Sequence, residues 1–281
     1  MPTEERQFLG AHGHVIRYDV SIPDGESRGV VLIAHGLAEH GRRYGHVVRA
    51  MVAAGFTVAV PDHLGHGRSD GKRLRISNFA DYTDDIDTVL DAVRIDGLPT
   101  FLLGHSMGGC IALDYALDHQ DRLDGLVLSG AAVVPGSDLS PILVRLAPVL
   151  GRLVPWLPST ALDAESISRD PKVVADYDND PLVVRGKVPA GLGGALMTTM
   201  QSFPGRLPSL RIPLLVMHGG DDALTEPEGS RMVDRLAGST DKTLIIYDGL
   251  FHEIFNEPER ETVIGTTVDW LTAHADAARV S

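Results

Sequence analysis

Six short apolar runs constrain this chain more than any other feature: Gly29–Ala34, Phe56–Val60, Thr100–Leu103, Leu126–Leu128, Pro213–Met217 and Thr243–Tyr247. Each is continuous in polarity rather than alternating, which is the pattern of strands buried on both faces. Between them lie stretches at helical spacing, such as Tyr82–Ile95 with Ile86, Val89, Leu90 and Val93, and Glu228–Leu236 with Met232, Val233 and Leu236. Strand, helix, strand in that order predicts an α/β fold, a mostly parallel central sheet with helices on both faces. The segment His14–Ile22 alternates loosely and predicts an antiparallel edge strand. No period of 20 to 50 residues recurs, which argues against a solenoid or propeller.

The rhythm breaks once, over a proline-rich interval from Pro135 to Pro208. With 281 residues in all, the economical division is one core, 1–134 with 209–281, and one inserted helical cap, 135–208. The first part of the cap, Leu139–Leu157, is strongly apolar, with only Arg145 and Arg152 charged. Three readings of it stand side by side: a helix packed on the core, a lid that meets acyl chains or a membrane surface, or a homodimer interface.

Charge narrows the partners. Twenty-five Lys and Arg against 38 Asp and Glu give a net charge of −13, a field that repels nucleic acid. Cys110 is the sole cysteine, so neither an internal disulfide nor a cysteine metal cluster can form. The opening residues place Glu4, Glu5 and Arg6 before any apolar run, unlike a signal peptide, and no run of about 18 apolar residues occurs. A cytoplasmic location is the expectation, with peripheral membrane association through the cap.

Gly104-His-Ser106-Met-Gly108 directly follows an apolar run and directly precedes a helical stretch through Ile111, Ala112, Tyr115 and Ala116. That strand–turn–helix context turns a weak G-x-S-x-G match into a specific one, with Ser106 exposed at the carboxyl edge of the sheet. A serine hydroxyl needs a base, and the base an orienting carboxylate; on this scaffold the chain order is Ser, acid, His. Past the run Pro213–Met217 come Asp221 and Asp222, and past Thr243–Tyr247 comes His252, both at strand ends. Ser106, Asp222 and His252 are the candidate triad, with Asp221 as the competing acid; His218 reads as the last residue of a strand. For an oxyanion, the backbone N–H of Met107 and that of Leu37, in the loop after Gly29–Ala34, are the candidate donors.

Taken together, His35-Gly-Leu-Ala-Glu-His-Gly-Arg-Arg-Tyr44, Asp62-His-Leu-Gly-His-Gly-Arg-Ser69, Gly104–Gly109 and Gly219-Gly-Asp-Asp222 resemble the monoacylglycerol lipase family of serine hydrolases, over nearly the whole chain. The run Leu244–His252 is similar to the mycobacterial members. The resemblance implies an α/β-hydrolase fold with a mobile cap, hydrolysis of monoacylglycerol to glycerol and fatty acid, and no cofactor. It favours Asp222 as the acid and implies that Glu39, Arg43 and Tyr177 bind the glycerol end. One departure stands out: Phe255 occupies the place where mammalian members carry a second histidine.

Other motifs carry less. His63 and His66 lie three apart, but the Gly-rich turn around them has its own structural need and no third ligand completes a metal site. Cys110, one turn after Ser106, is expected to be buried and inert. On the same triad a broader carboxylesterase, a lysophospholipase or a slow-turnover ligand sensor would also fit.

Overall fold

All six apolar runs form strands, and their two-residue periodicity divides the core. In the computed structural model, which describes residues 3–137, 139–161 and 163–278, an eight-stranded sheet runs β1 (Thr3–Leu9), β2 (Val15–Ser21), β4 (Phe56–Pro61), β3 (Gly29–Ala34), β5 (Thr100–His105), β6 (Gly125–Ser129), β9 (Leu214–Gly219), β10 (Lys242–Tyr247). From β4 to β10 every pairing is parallel; β1 and β2 add an antiparallel edge. Along β3, Val30, Leu32 and Ala34 enter one apolar cluster and Val31 and Ile33 the other. The first cluster is closed by α2 (Ala80–Val93), α3 (Met107–His119) and α7 (Pro227–Leu236); the second by α1 (Gly45–Ala53) and α8 (Arg260–Ala278). Burial on both faces is why β3, β4, β5, β6 and β9 read as continuous apolar runs; β10, at the sheet edge, is only half-buried.

β1 went unread in the sequence. Its residues, Thr-Glu-Glu-Arg-Gln-Phe-Leu, are mostly exposed, and it is held by pairing with β2 from Thr3↔Ser21 to Leu9↔Val15 rather than by burial. The segment between β6 and β9 leaves the sheet. It carries α4 (Pro141–Leu153), β7 (Pro158–Ala161), α5 (Pro171–Asn179), β8 (Lys187–Pro189) and α6 (Ala190–Arg206). The β7–β8 pair was not expected; β8 is only three residues, too short to give a pattern.

α4 faces the wrong way for a core helix. Ile142, Leu143, Leu146, Val149, Leu150 and Leu153 form one stripe, and that stripe is exposed, Ile142 at 73% and Leu153 at 69%. The opposite side is small: a Cβ on Gly151 would lie 2.7 Å from the Ala190 carbonyl oxygen and 3.0 Å from Gly194 Cα. Two glycines therefore let α4 and α6 touch backbone to backbone, while the apolar stripe points away from the body. Of the readings open in the sequence, packing of this stripe on the core does not hold.

β3 has β4 on one side and β5 on the other, so successive crossovers leave it in opposite directions. The crevice outside the carboxyl ends of β3 and β5 is where an open α/β sheet builds its site.

Candidate active site

Ser106 sits in that crevice, between the end of β5 and the start of α3, with φ 54° and ψ −118°. This is strained backbone for a residue with a Cβ, and it is over-determined by its surroundings. The Ser106 N–H donates to Ser129 at 3.0 Å, and its carbonyl oxygen accepts from Gly109, Cys110 and Ala132 at 3.0 to 3.2 Å. The flanking glycines are steric necessities: a Cβ on Gly104 would be 2.3 Å from the Gly108 oxygen, and one on Gly108 only 2.1 Å from the Ala34 oxygen. Cys110 is fully buried in the core, and burial first, then Asp114, pushes its thiol well up, away from thiolate.

The acid and the base meet across two loops. His252 Nδ1 lies 2.7 Å from Asp222 Oδ2. Asp222 Oδ1 accepts from the backbone N–H groups of Leu224 at 2.8 Å and Thr225 at 2.9 Å. Asp221, by contrast, is exposed. Burial pushes the Asp222 carboxyl up, but His252 and the hydrogen bond from His218 outweigh it and hold the group far below the usual range. Burial lowers His252, yet Asp222 more than compensates and its pKa is raised. No hydrogen bond joins the Ser106 hydroxyl to His252 among the described residues; both side chains line the same cavity. A link of that kind commonly tightens only when substrate fills the site.

His218, the next-to-last residue of β9, does more than shape a strand end. It is fully buried, its Nδ1 lies 2.7 Å from Ser230 Oγ, and its Nε2 lies 3.1 Å from Asp222 Oδ2. It braces the same carboxylate oxygen that His252 contacts. It stands four residues before Asp222, across the turn that ends β9, so proximity to Asp222 was the signal the sequence held for it.

Leu37 and Met107 both line the cavity, and neither N–H has an acceptor among the described residues. Two uncommitted donors facing one cavity beside Ser106 is the arrangement a developing oxyanion needs. The loop carrying Leu37 is fixed by Glu39, whose carboxylate accepts from Gly36 N–H at 2.6 Å and from the Tyr44 hydroxyl at 2.8 Å. It is also tied to the inserted segment by Val184 N–H to the Ala38 oxygen and by His40 Nε2 to Asp180, each 2.8 Å.

The cavity has a volume of about 220 Å³ and two unlike ends. Glu39, Tyr177, His105 and Glu253 supply polar groups; Leu139, Val188, Leu196, Met197 and Met200 supply an apolar wall. Arg43 is not among the lining residues. Its guanidinium stands behind them, bonded to Glu39 at 2.6 Å and to both oxygens of Glu253 at 2.6 and 2.8 Å, and lies 4.8 Å from the Tyr177 ring centre. Phe255, the departure noted above, is buried in the core and points away from the cavity; its neighbour Glu253 is the one that lines it. His105, also unread in the sequence, lies with its ring 4.7 Å from that of His252. Burial and the His252 charge lower it to about 3, so it stays neutral.

Comparison with known proteins bears on this geometry. A hydrolase family model described as serine aminopeptidase, S33, matches residues 25–259. A monoacylglycerol lipase of Mycolicibacterium smegmatis is 46% identical over 273 residues, covering 96% of this chain and 97% of its own. The chain belongs to the monoacylglycerol lipase family. The human monoglyceride lipase, at 34% identity, aligns with 84% of this chain and 78% of its own. Among solved structures, the Paleococcus ferrophilus monoacylglycerol lipase superposes with a TM-score of 0.83 at 32% identity, over 98% of this chain and all of that one. The protein is thus an α/β-hydrolase-fold enzyme of bacterial, mycobacterial-type lipase sequence. Among its described residues no helix is long and apolar enough to cross a membrane.

Proposed function

We propose that this protein hydrolyses monoacylglycerols to glycerol and free fatty acid through a serine acyl-enzyme, without a cofactor. The observation that carries the reading is a strained Ser106 beside the Asp222–His252 pair, at the wall of a cavity with one polar end and one apolar wall. In this reading Ser106 attacks the ester carbonyl. His252 takes the hydroxyl proton and passes it to the departing glycerol oxygen, and Asp222 holds the imidazole's tautomer and stabilises its charge. The Leu37 and Met107 N–H groups stabilise the oxyanion; water, activated by His252, then releases the fatty acid. Glu39 and Tyr177 contact the glycerol end, and Arg43 serves by holding Glu39. The family's full-length lipase relatives support the substrate class.

The testing experiment measures oleate release from 1-monooleoylglycerol beside di- and trioleoylglycerol and lysophosphatidylcholine, with wild type and Ser106→Ala. Preference for the monoglyceride, abolished by the substitution at a stability cost within about 1 kcal/mol, is expected. Preference for lysophosphatidylcholine or short esters would favour the lysophospholipase or carboxylesterase reading, and a single burst without turnover the sensor.

We divide the chain into a core, residues 1–134 with 209–281, and a cap, 135–208, whose α4 rests on an anionic lipid surface. Trp156, 61% exposed, adjoins the stripe of α4, and a groove of about 230 Å³ joins it to Lys72, Arg75 and Ile76 of the core. Lys72, Arg73, Arg75, Arg145, Arg152 and Lys187 are exposed, with no ion-pair partner among the described residues. Residues 71–77 and 139–162 contain no acidic residue. An apolar stripe flanked by unpaired cations, on a chain of charge −13, is the signature of an interfacial helix.

A further inference from the structure

Two carboxylates and one guanidinium form the polar end of the cavity. Glu39 and Glu253 are 3% and 6% exposed, and both line the cavity, whereas Arg43 does not. Every partner of these carboxylates is a donor: Gly36 N–H, Tyr44 O–H and Arg43 for Glu39; Arg43 twice and the Asn256 amide, at 2.7 Å, for Glu253. Donor-only surroundings favour the ionised form of both: burial raises the Glu253 carboxyl but Arg43 brings it below its usual range, while burial, with the charge of Glu253, leaves that of Glu39 raised against the pull of Arg43. With both ionised, the cluster carries two negative charges against one positive. Among the described residues no Lys or Arg lines the cavity, and His252 is already paired with Asp222. A second anion beside Glu39 and Glu253 therefore meets no free side-chain cation, and the low local polarisability of a buried site strengthens the repulsion.

We propose that Glu253, together with Glu39, makes the polar end of the cavity an anion filter, admitting an uncharged polyol leaving group and turning away single-chain lipids with a phosphate headgroup. The proposal rests on the ester-hydrolase reading above and deepens it. A glycerol hydroxyl donates a hydrogen bond to a carboxylate; a phosphate monoester dianion offers that carboxylate only negative oxygen. Glu253 is the specificity-determining member, because Glu39 is already committed to the loop that carries Leu37.

The comparison that isolates charge uses 1-oleoylglycerol and 1-oleoyl lysophosphatidate, which differ by one phosphate. In wild type kcat/KM should favour the neutral lipid by at least a hundred-fold; in Glu253→Gln that ratio should shrink at least ten-fold, while Glu253→Asp should retain it. Glu253 also raises the His252 pKa, together with Asp222 and Glu39, while neutral His105 packs against the ring. In Glu253→Gln the acid limb of the kcat/KM profile for a neutral ester should therefore move to lower pH, a change that a merely loosened loop would not produce. An unchanged ratio in Glu253→Gln, or an equal loss of discrimination in Glu253→Asp, would overturn the filter. Binding to wild type by calorimetry needs neither turnover nor a folded variant: 1-O-octylglycerol should bind at least ten-fold more tightly than octyl phosphate, and equal affinities would overturn it. If neither acyl lipid releases oleate, the ester reading fails on its own, and the two octyl ligands still decide the filter.

Discussion

At the scale of single residues, this site is built from strain and from shared donors. Ser106 at φ 54° costs on the order of 1 to 3 kcal/mol, and glycine would occupy the same conformation freely while giving back about 0.5 to 1 kcal/mol through its unfolded-state entropy. Ser106→Gly should therefore raise stability by about 1 kcal/mol, a melting shift of about 2 °C, while abolishing hydrolysis. Calorimetric melting of the two proteins decides it; an unchanged or lower melting temperature would show that the turn is not strained. The candidate triad was legible because its motif sits between a strand and a helix and its acid and base follow later strands in the required order. His218, His105 and Glu253 were not, although each is a near neighbour in the chain of Asp222, Ser106 or His252, because a lone histidine or glutamate at a strand end or in a loop has no periodic signature. Arg43 was legible as a residue of the site but not in its place: only the fold turns its guanidinium behind Glu39 and Glu253 rather than toward the cavity.

Among the elements, α2 holds a titratable group that works against the fold. Asp85 is 3% exposed, with Oδ2 unpartnered, and burial, then the charge of Asp81, pushes its carboxyl up from 3.8 to about 7. A carboxyl whose folded pKa is raised contributes most to stability below its unfolded value and loses that contribution as pH rises through the folded one. Above pH 7 the penalty amounts to up to about 4 kcal/mol, and at pH 5 to less than half of that. Asp85→Asn should thus stabilise the protein at pH 8 by more than at pH 5, as read by urea unfolding at both values; an equal gain at both would assign the effect to packing instead. The inner strands were the most legible elements, since burial on both faces writes a continuous apolar run. β1 was illegible because its stability comes from backbone pairing with β2, to which its side chains contribute little.

For the whole molecule, charge is separated rather than spread. A net charge of −13 coexists with an acid-free, cation-flanked apolar face on the cap and the adjoining loop at Lys72–Arg75. Leu153→Glu with Trp156→Glu should weaken sedimentation with phosphatidylglycerol vesicles at least ten-fold and leave turnover of a soluble short-chain nitrophenyl ester within two-fold. Binding to phosphatidylglycerol should fall with added salt, and phosphatidylcholine vesicles should retain far less protein. If the double variant instead converts a dimer to a monomer without changing vesicle binding, the face is a subunit interface. The proposed docking of this segment on an anionic surface and the proposed refusal of phosphate by the cavity are compatible: the first would act outside the molecule through cations, the second inside it through Glu39 and Glu253.

The sequence by itself determined the parallel sheet, the strand–turn–helix setting of Ser106 and the order in which the candidate acid and base follow it, because each depends on local steric rules or on burial periodicity that a linear pattern records. Tertiary structure alone decided which way the α4 stripe faces and how Arg43 is divided between two glutamates. Those outcomes depend on side chains brought together from segments up to about 210 positions apart, and a pattern of neighbours in the chain carries no trace of such meetings.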